Sequence, residues 1–400
     1  MSRLYRYISA DSHLEIPPER WTDRVPAKHR DRAPRTIKIP MGEALMVEGR
    51  PLNVLGLNFG TRGWERLTIG GTYAETPGTG LPEQRVREQD QDGIDAEIMF
   101  TGVSGPNLWR GIRNDEAYCS VVRAFNEYLG EEYCPAFPDR LLGLGVIPEI
   151  GVDAAIAELT KCKELGLVGV TLNSFPSGKS FPTKDDDRFW SAAIDLDMPI
   201  TIHVDFGFPS GTYGGRGKMF DYERAPEDGE NDVILRFGKY GFRGSIHAVQ
   251  LLWFGVFDRF PTFKLYVAET QIGWLPNFFE QMDNHYQRHY RWADKLLGLK
   301  PLDRMPSEYI KEHVYWGFLW NPVGVRAVHR EGGVDRVMWA SDMPHGETDW
   351  PNSLRSMEEN FRGIPSEDVE KMVKSNCIEF FHLKDSVNLP EVKSPASATA

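Results

Sequence analysis

Cysteine is scarce in this chain: four in 400 residues, Cys119, Cys134, Cys162 and Cys377, with no CxxC spacing. That excludes a thiolate zinc knuckle and a disulfide frame, and it fits reduced thiols in a cytoplasmic protein. Long apolar runs are missing too. No stretch approaches the roughly 18 uncharged residues of a membrane span, and the N-terminus MSRLYRYIS has no apolar signal core. Basic residues are in deficit, 46 against 58 acidic, for a net charge of −12. With no basic patch, nucleic acid is excluded as a main partner. No internal sequence repeat is present, and no GxGxxG follows the first apolar run, which argues against a dinucleotide fold.

What the chain does contain is a repeat of type. Eight short apolar runs recur: 5–11, 95–102, 141–148, 168–174, 198–204, 263–269, 314–318 and 336–342. Most lack clean alternation, as strands buried on both faces should. Helical periodicity fills the intervals at 117–134, 152–166, 187–197 and 273–298. Eight strand–helix units predict an α/β chain folded as a (β/α)8 TIM barrel over 1–385. A doubly wound open sheet is the alternative. Residues 18–85, rich in Pro, Gly and charge, read as an arm inserted after the first strand. Residues 205–245, long and glycine-rich, read as a lid or interface loop after strand five, and 386–400 as a disordered tail.

Polar, ligand-type residues collect where the predicted strands end. YISADSHLEIP places Asp11 and His13 two apart, hence on one strand face. Either a metal ion or a simple hydrogen-bonded pair accounts for those two alone. His203 ends strand five, Glu269 strand six and Asp342 strand eight. Singly, each has an ordinary explanation: a buried histidine, half an ion pair, a helix N-cap ahead of Met343 and Pro344. Together they predict a site, because buried charges need partners and the C-terminal strand ends of a barrel converge on one face. His345, just past Asp342, is a further candidate. His247 is expected in the core, and the helical pair His285 and His289 on a solvated or interface face.

The motifs DSH (11–13), ITIHVD (200–205), GVFDRFPTFKLYVAE (255–269) and WASDMPHGETDWP (339–351) resemble the amidohydrolase superfamily, in its aminocarboxymuconate-semialdehyde decarboxylase-like branch. The resemblance spans about 5–380. It implies that Asp11, His13, His203 and Asp342 are metal residues. Glu269, in AETQIGW, stands where many relatives have the catalytic histidine of AHGG, so that it joins the metal set or acts as an acid. A carboxylate, Asp11, replaces the first histidine of the usual HxH. Strand four offers Thr171 and Asn173 and no lysine, so a bridging carbamate is absent and one metal is expected.

The cofactor implied is a divalent ion, zinc in the first place, with manganese or iron as alternatives. Asp342, Glu269 and His345 are the catalytic candidates. The expected activity is metal-dependent hydrolysis or non-oxidative decarboxylation of a small carboxylated compound, with a small-molecule substrate and a homo- or hetero-oligomer as partners. The alternatives are an oxygen-dependent iron or manganese hydroxylase of the same superfamily, acting on a small amino acid such as α-aminoisobutyrate, and a non-catalytic partner subunit.

Overall fold

A computed structural model of the chain describes residues 2–39, 42–48, 50–54, 72–102, 105, 109–204, 206 and 243–388. Eight strands form one parallel sheet in chain order: β1 (Ile8–Leu14), β2 (Ala96–Thr101), β3 (Leu141–Val146), β4 (Gly169–Leu172), β5 (Ile200–His203), β6 (Leu265–Ala268), β7 (Val314–Phe318) and β8 (Val337–Trp339). Each lies within or overlaps one of the eight apolar runs. Helices such as Asp115–Tyr128, Val152–Glu164, Asp187–Asp195 and Leu275–Leu297 fill the connections.

The strands are almost wholly buried because each feeds two cores. Ile8, Ala10, Ile98, Leu142, Leu144, Tyr266 and Met338 point into the barrel and meet Phe380 and Phe381 of the C-terminal helix Asn376–Phe381. Their neighbours Met99, Leu141, Val170 and Val267 pack outward against the helices. The alternation is the ordinary period of two, hidden in the sequence because both faces are apolar.

The sheet closes at its seam without a regular ladder. The Asp342 N–H donates to the Asp11 carbonyl at 2.9 Å, and the His13 N–H to the Met343 carbonyl at 2.8 Å. Between them Ser9, Ser12 and Ser341 form a triangle of hydroxyls 3.0–3.1 Å apart. Arg85, fully buried on the helix Pro82–Asp92, braces the seam from outside. Its guanidinium donates to Glu97 at 2.7 Å and 3.2 Å, and to the Met343 carbonyl at 2.9 Å.

Three details differ from the sequence-based expectations. First, β1 begins and ends later than 5–11, so Asp11 and His13 lie inside it; pairing with β2 continues to Leu14↔Thr101 and holds the polar triplet in strand form. Second, the stretch 18–85 contains a small antiparallel sheet, Arg35–Ile39, Gly42–Val47 and Arg50–Val54, whose strands are too short to announce themselves among Pro and Gly, while 55–71 lie outside the described residues. Third, the ordered chain runs beyond 386: Ser386–Asn388 pairs with Ser2–Leu4 under the barrel, and 389–400 lie outside the described residues. The loop 205–245 lies outside them as well, apart from Phe206 and the helix that starts at Arg243. All four cysteines are free, and no described helix is long and apolar enough to cross a membrane.

Replacing Arg85 by Ala leaves the buried Glu97 carboxylate without its counter-charge, held only by hydrogen bonds from Gln89 and Ser12. The expected loss is about 3–5 kcal/mol of unfolding free energy, read from denaturant midpoints. A loss below about 1 kcal/mol, the size of an exposed pair, would show that Arg85 is not a brace.

Candidate metal centre

The centre sits at the C-terminal ends of the strands, and a parity change in β1 builds its first half. Ile8 and Ala10 face the barrel interior, yet Leu14, of the same parity, joins the outer core. The reversal falls at a register shift between Ser9 and Ser12. Such an irregularity re-aims the side chains beyond it. Here it turns Asp11 and His13 inward. On β5, His203 lies opposite Ala268 of β6, which places Glu269 one step farther along, beside the imidazole.

Glu269 and Asp342 both hold left-handed backbone conformations, φ 59° and 54°. This region is sparsely used by side chains other than Asn, Asp and Gly, and each such residue costs on the order of 1 kcal/mol or more. Gly317 on β7 makes room for the turn at Glu269: a Cβ there would lie 3.0 Å from the Glu269 nitrogen and 2.5 Å from the Tyr266 hydroxyl.

The structure brings all five residues of the expected metal set together. The His13 Nε2 lies 3.1 Å from Asp342 Oδ1 and 3.4 Å from Asp11 Oδ1. His203 Nε2 lies 3.6 Å from Asp11 Oδ2 and 3.3 Å from Glu269 Oε2. The His13 Nδ1–H donates to the Thr101 carbonyl at 2.8 Å, which fixes the tautomer and aims Nε2 inward. Asp11 and Asp342 are wholly buried, yet among the described residues neither carboxylate has a hydrogen-bond partner at either oxygen, nor has His13 at Nε2. Buried polar atoms without partners are rare and need an explanation. A divalent cation among Asp11, His13 and His203, whose ligand atoms lie within 4.8 Å of one another, supplies one, and mixed imidazole and carboxylate donors suit manganese, iron or zinc.

His345 belongs to the same cluster. Its ring stacks on His13 at 3.7 Å, its Nδ1 is 3.3 Å from Asp342 Oδ1, and its Nε2 is 3.2 Å from Glu15 Oε1. Burial alone would lower its pKa, but the facing carboxylates of Asp342 and Glu15 raise it to about 10. In return, although burial pushes Asp342 up, the charges of the facing His345 and His13 rings hold it well below the usual carboxylate range. Burial raises Asp11, with His203 and His13 opposing the shift.

Two residues of the cluster escaped the sequence reading. Glu15 continues the same-face series 11, 13, 15, so the spacing that marked Asp11 and His13 marks it too. Glu347 joins Glu269 and Asp342 in a second group of donors within 4.8 Å. It lies in an irregular loop beyond Asp342, and only the loop's path brings it back. The remaining histidines stay away from the site. His247 packs against Phe206 and Phe175 at ring separations of 4.7 and 6.1 Å, with its Nδ1 3.1 Å from the Gln250 side-chain oxygen. His285 and His289 stack on an exposed helix face. Strand β4 carries Thr171 and no lysine.

A family model described as amidohydrolase matches residues 10–383. A gamma-resorcylate decarboxylase of Polaromonas sp. is 24% identical over 310 residues, covering 74% of this chain and 88% of that protein. Among solved structures, an amidohydrolase of Mycobacterium avium subsp. paratuberculosis superposes with a TM-score of 0.69 at 17% identity, over 94% of this chain and 99% of its own. A 5-carboxyvanillate decarboxylase of Novosphingobium aromaticivorans, with bound manganese and a nitrobenzoic acid, superposes with a TM-score of 0.61 at 20% identity, over 95% and 97%.

Replacing His203 by Ala is expected to weaken manganese binding by at least about tenfold, since even residues behind a ligand contribute that much. Isothermal titration calorimetry measures it, with circular dichroism as the control for folding. Unchanged affinity in a folded variant would remove His203 from the centre.

Proposed function

The chain belongs to the amidohydrolase family, and from that premise we propose that it is a metal-dependent, non-oxidative decarboxylase of small carboxylated aromatic compounds that carry a hydroxyl beside the carboxylate. The observation that carries the reading is the set of buried carboxylates and imidazoles converging at one rim of the barrel. The similarity to decarboxylases supports the reaction class. No observation favours the hydrolytic, oxygen-dependent or non-catalytic alternatives over it.

Asp11, His13 and His203 would hold the cation, with Glu269 and Asp342 against it. Manganese, the metal in the 5-carboxyvanillate decarboxylase structure, takes precedence over zinc for that reason. A divalent cation bound there polarises the oxygens of a chelating substrate. The chain's own residues do the rest. Thr101 keeps the His13 ring in place through Nδ1. Phe100, buried, with its ring 6.0 Å from His13 and 5.6 Å from His203, offers an apolar surface to an aromatic ring.

Loss of carbon dioxide leaves the electron pair of the broken carbon–carbon bond on the ring carbon, which must then gain a proton. His345, which the carboxylates of Asp342 and Glu15 keep protonated, is placed to deliver it, with Asp342 as the base that positions and charges the ring, their polar atoms being 3.3 Å apart. Glu15, on the other side of the His345 ring, orients the donor. Glu269 is the second acid of the site.

Carbon dioxide release from hydroxybenzoates, of which 2,6-dihydroxybenzoate is the first to try, should proceed equally with and without oxygen and stop on chelation. Asp342→Asn should lower kcat by about 10²–10⁴, the usual contribution of a positioned acid or base. A strict requirement for oxygen, or an Asp342→Asn variant as fast as the parent, would contradict the proposal.

A further inference from the structure

We infer that the outer layer of the barrel carries a separate, non-catalytic binding site for a small aromatic carboxylate. It is a cavity of about 160 Å³, lined by residues of the helices Leu275–Leu297 and Pro322–Arg330 and of the strands β7 and β8. It shares no residue with the metal centre and stands apart from the decarboxylase reading. Trp316 lines it from the outward face of β7, while Tyr315 before it faces the barrel interior. Leu275, Phe279 and Val328 give it carbon walls. An apolar cavity of roughly 150 Å³ admits benzene, so a single ring fits. The helix Pro322–Arg330 is followed by Gly332, at φ 72°, and Gly333, and this pair puts no side chain across the opening.

Two buried donors there lack an acceptor. Trp316 is 1% exposed, and among the described residues its indole Nε1–H has no hydrogen-bond partner. Nor has the Arg336 Nε–H, a buried atom of a half-buried residue. A buried tryptophan N–H usually finds a partner, and each exception needs an explanation. Both residues line the one cavity, so an occupant bearing acceptor oxygens accounts for both.

Charge specifies the acceptor. The Arg336 guanidinium lies over the Tyr315 ring at 4.8 Å, and the Lys311 ammonium, also at the cavity, over the Phe279 ring at 5.0 Å. A ring face attracts a cation but does not cancel its charge. Among the described residues neither cation is in an ion pair, and Arg336 donates only from Nη1, to the Asp335 carbonyl at 2.8 Å. The two acids at the mouth face other cations: Asp335 is 2.8 Å from Lys371, and Glu331 is 3.6 Å from Arg330. The cavity therefore offers two positive charges without counter-ions beside an apolar space for one ring. Guanidinium geometry matches a carboxylate, and a mostly apolar pocket with a few convergent polar groups is the usual form of a small-molecule site.

The test is isothermal titration calorimetry of the full-length protein with para-fluorobenzoate, which lacks the hydroxyl beside the carboxylate, and with fluorobenzene as the uncharged probe. Binding of para-fluorobenzoate is expected in the parent and should survive in His203→Ala, which disables the metal centre alone. Val328→Phe, which fills the cavity, and Arg336→Gln, which removes a cation from it, should each weaken binding by at least about tenfold, the worth of one charge-assisted hydrogen bond or more. Circular dichroism confirms that the variants fold. No binding in the parent would overturn the site, as would either folded cavity variant binding as tightly as the parent. Binding abolished by His203→Ala would place the acid at the metal centre instead. Fluorobenzene bound as tightly as para-fluorobenzoate would overturn the carboxylate as the ligand class.

Discussion

The barrel's function hangs on its seam. β1 and β8 come from opposite ends of the chain and do not share a regular ladder, yet two main-chain hydrogen bonds join them beside the centre. Asp342 donates to the Asp11 carbonyl, and His13 donates to the Met343 carbonyl. Each bond involves a residue whose side chain serves the site, so closing the barrel and assembling the centre are one event. Arg85 adds a charge-assisted bond to the same Met343 carbonyl and answers Glu97, while Ser12 bonds both Glu97 and the serine triangle of the seam. The site is therefore braced from the helical layer as well as from the strands.

A cluster assembled this way is costly in the absence of a ligand. Carboxylates removed from water repel one another, and isolated buried charge is strongly unfavourable. The left-handed φ of Glu269 adds to that cost. Local structure repays it only in part: His13 and His345 face Asp342, and His13 and His203 face Asp11, yet none of these carboxylate oxygens accepts a hydrogen bond among the described residues. The imbalance is what a cation corrects. On the proposed function the same cation would place positive charge where a carboxylated substrate would otherwise be repelled, giving stability of the centre and affinity for substrate one electrostatic source.

Much of this is legible in the sequence, for identifiable reasons. The eight strands show because parallel strands buried on both faces are short apolar runs, and Asp11, His13, His203, Glu269 and Asp342 show because a polar side chain at a strand's end has few bland uses. The reversal of parity between Ser9 and Ser12 is invisible, since an irregularity in a run of buried residues leaves no compositional trace. Glu15 could have been found by extending the alternation of Asp11 and His13 one step. Glu347 could not, because its position depends on the course of an irregular loop. The seam is illegible for a similar reason: it joins residues more than 300 positions apart through main-chain atoms, which carry no side-chain signature.

The central claim is that one rim of this barrel gathers a metal from residues brought together by the closure of the first strand on the last. Anomalous diffraction at the manganese absorption edge, from crystals of the loaded protein, tests it directly. The account predicts a peak at the seam within bonding distance of both His13 Nε2 and His203 Nε2. A peak at the opposite end of the barrel, or at the exposed His285 and His289 pair with none at the seam, would contradict it.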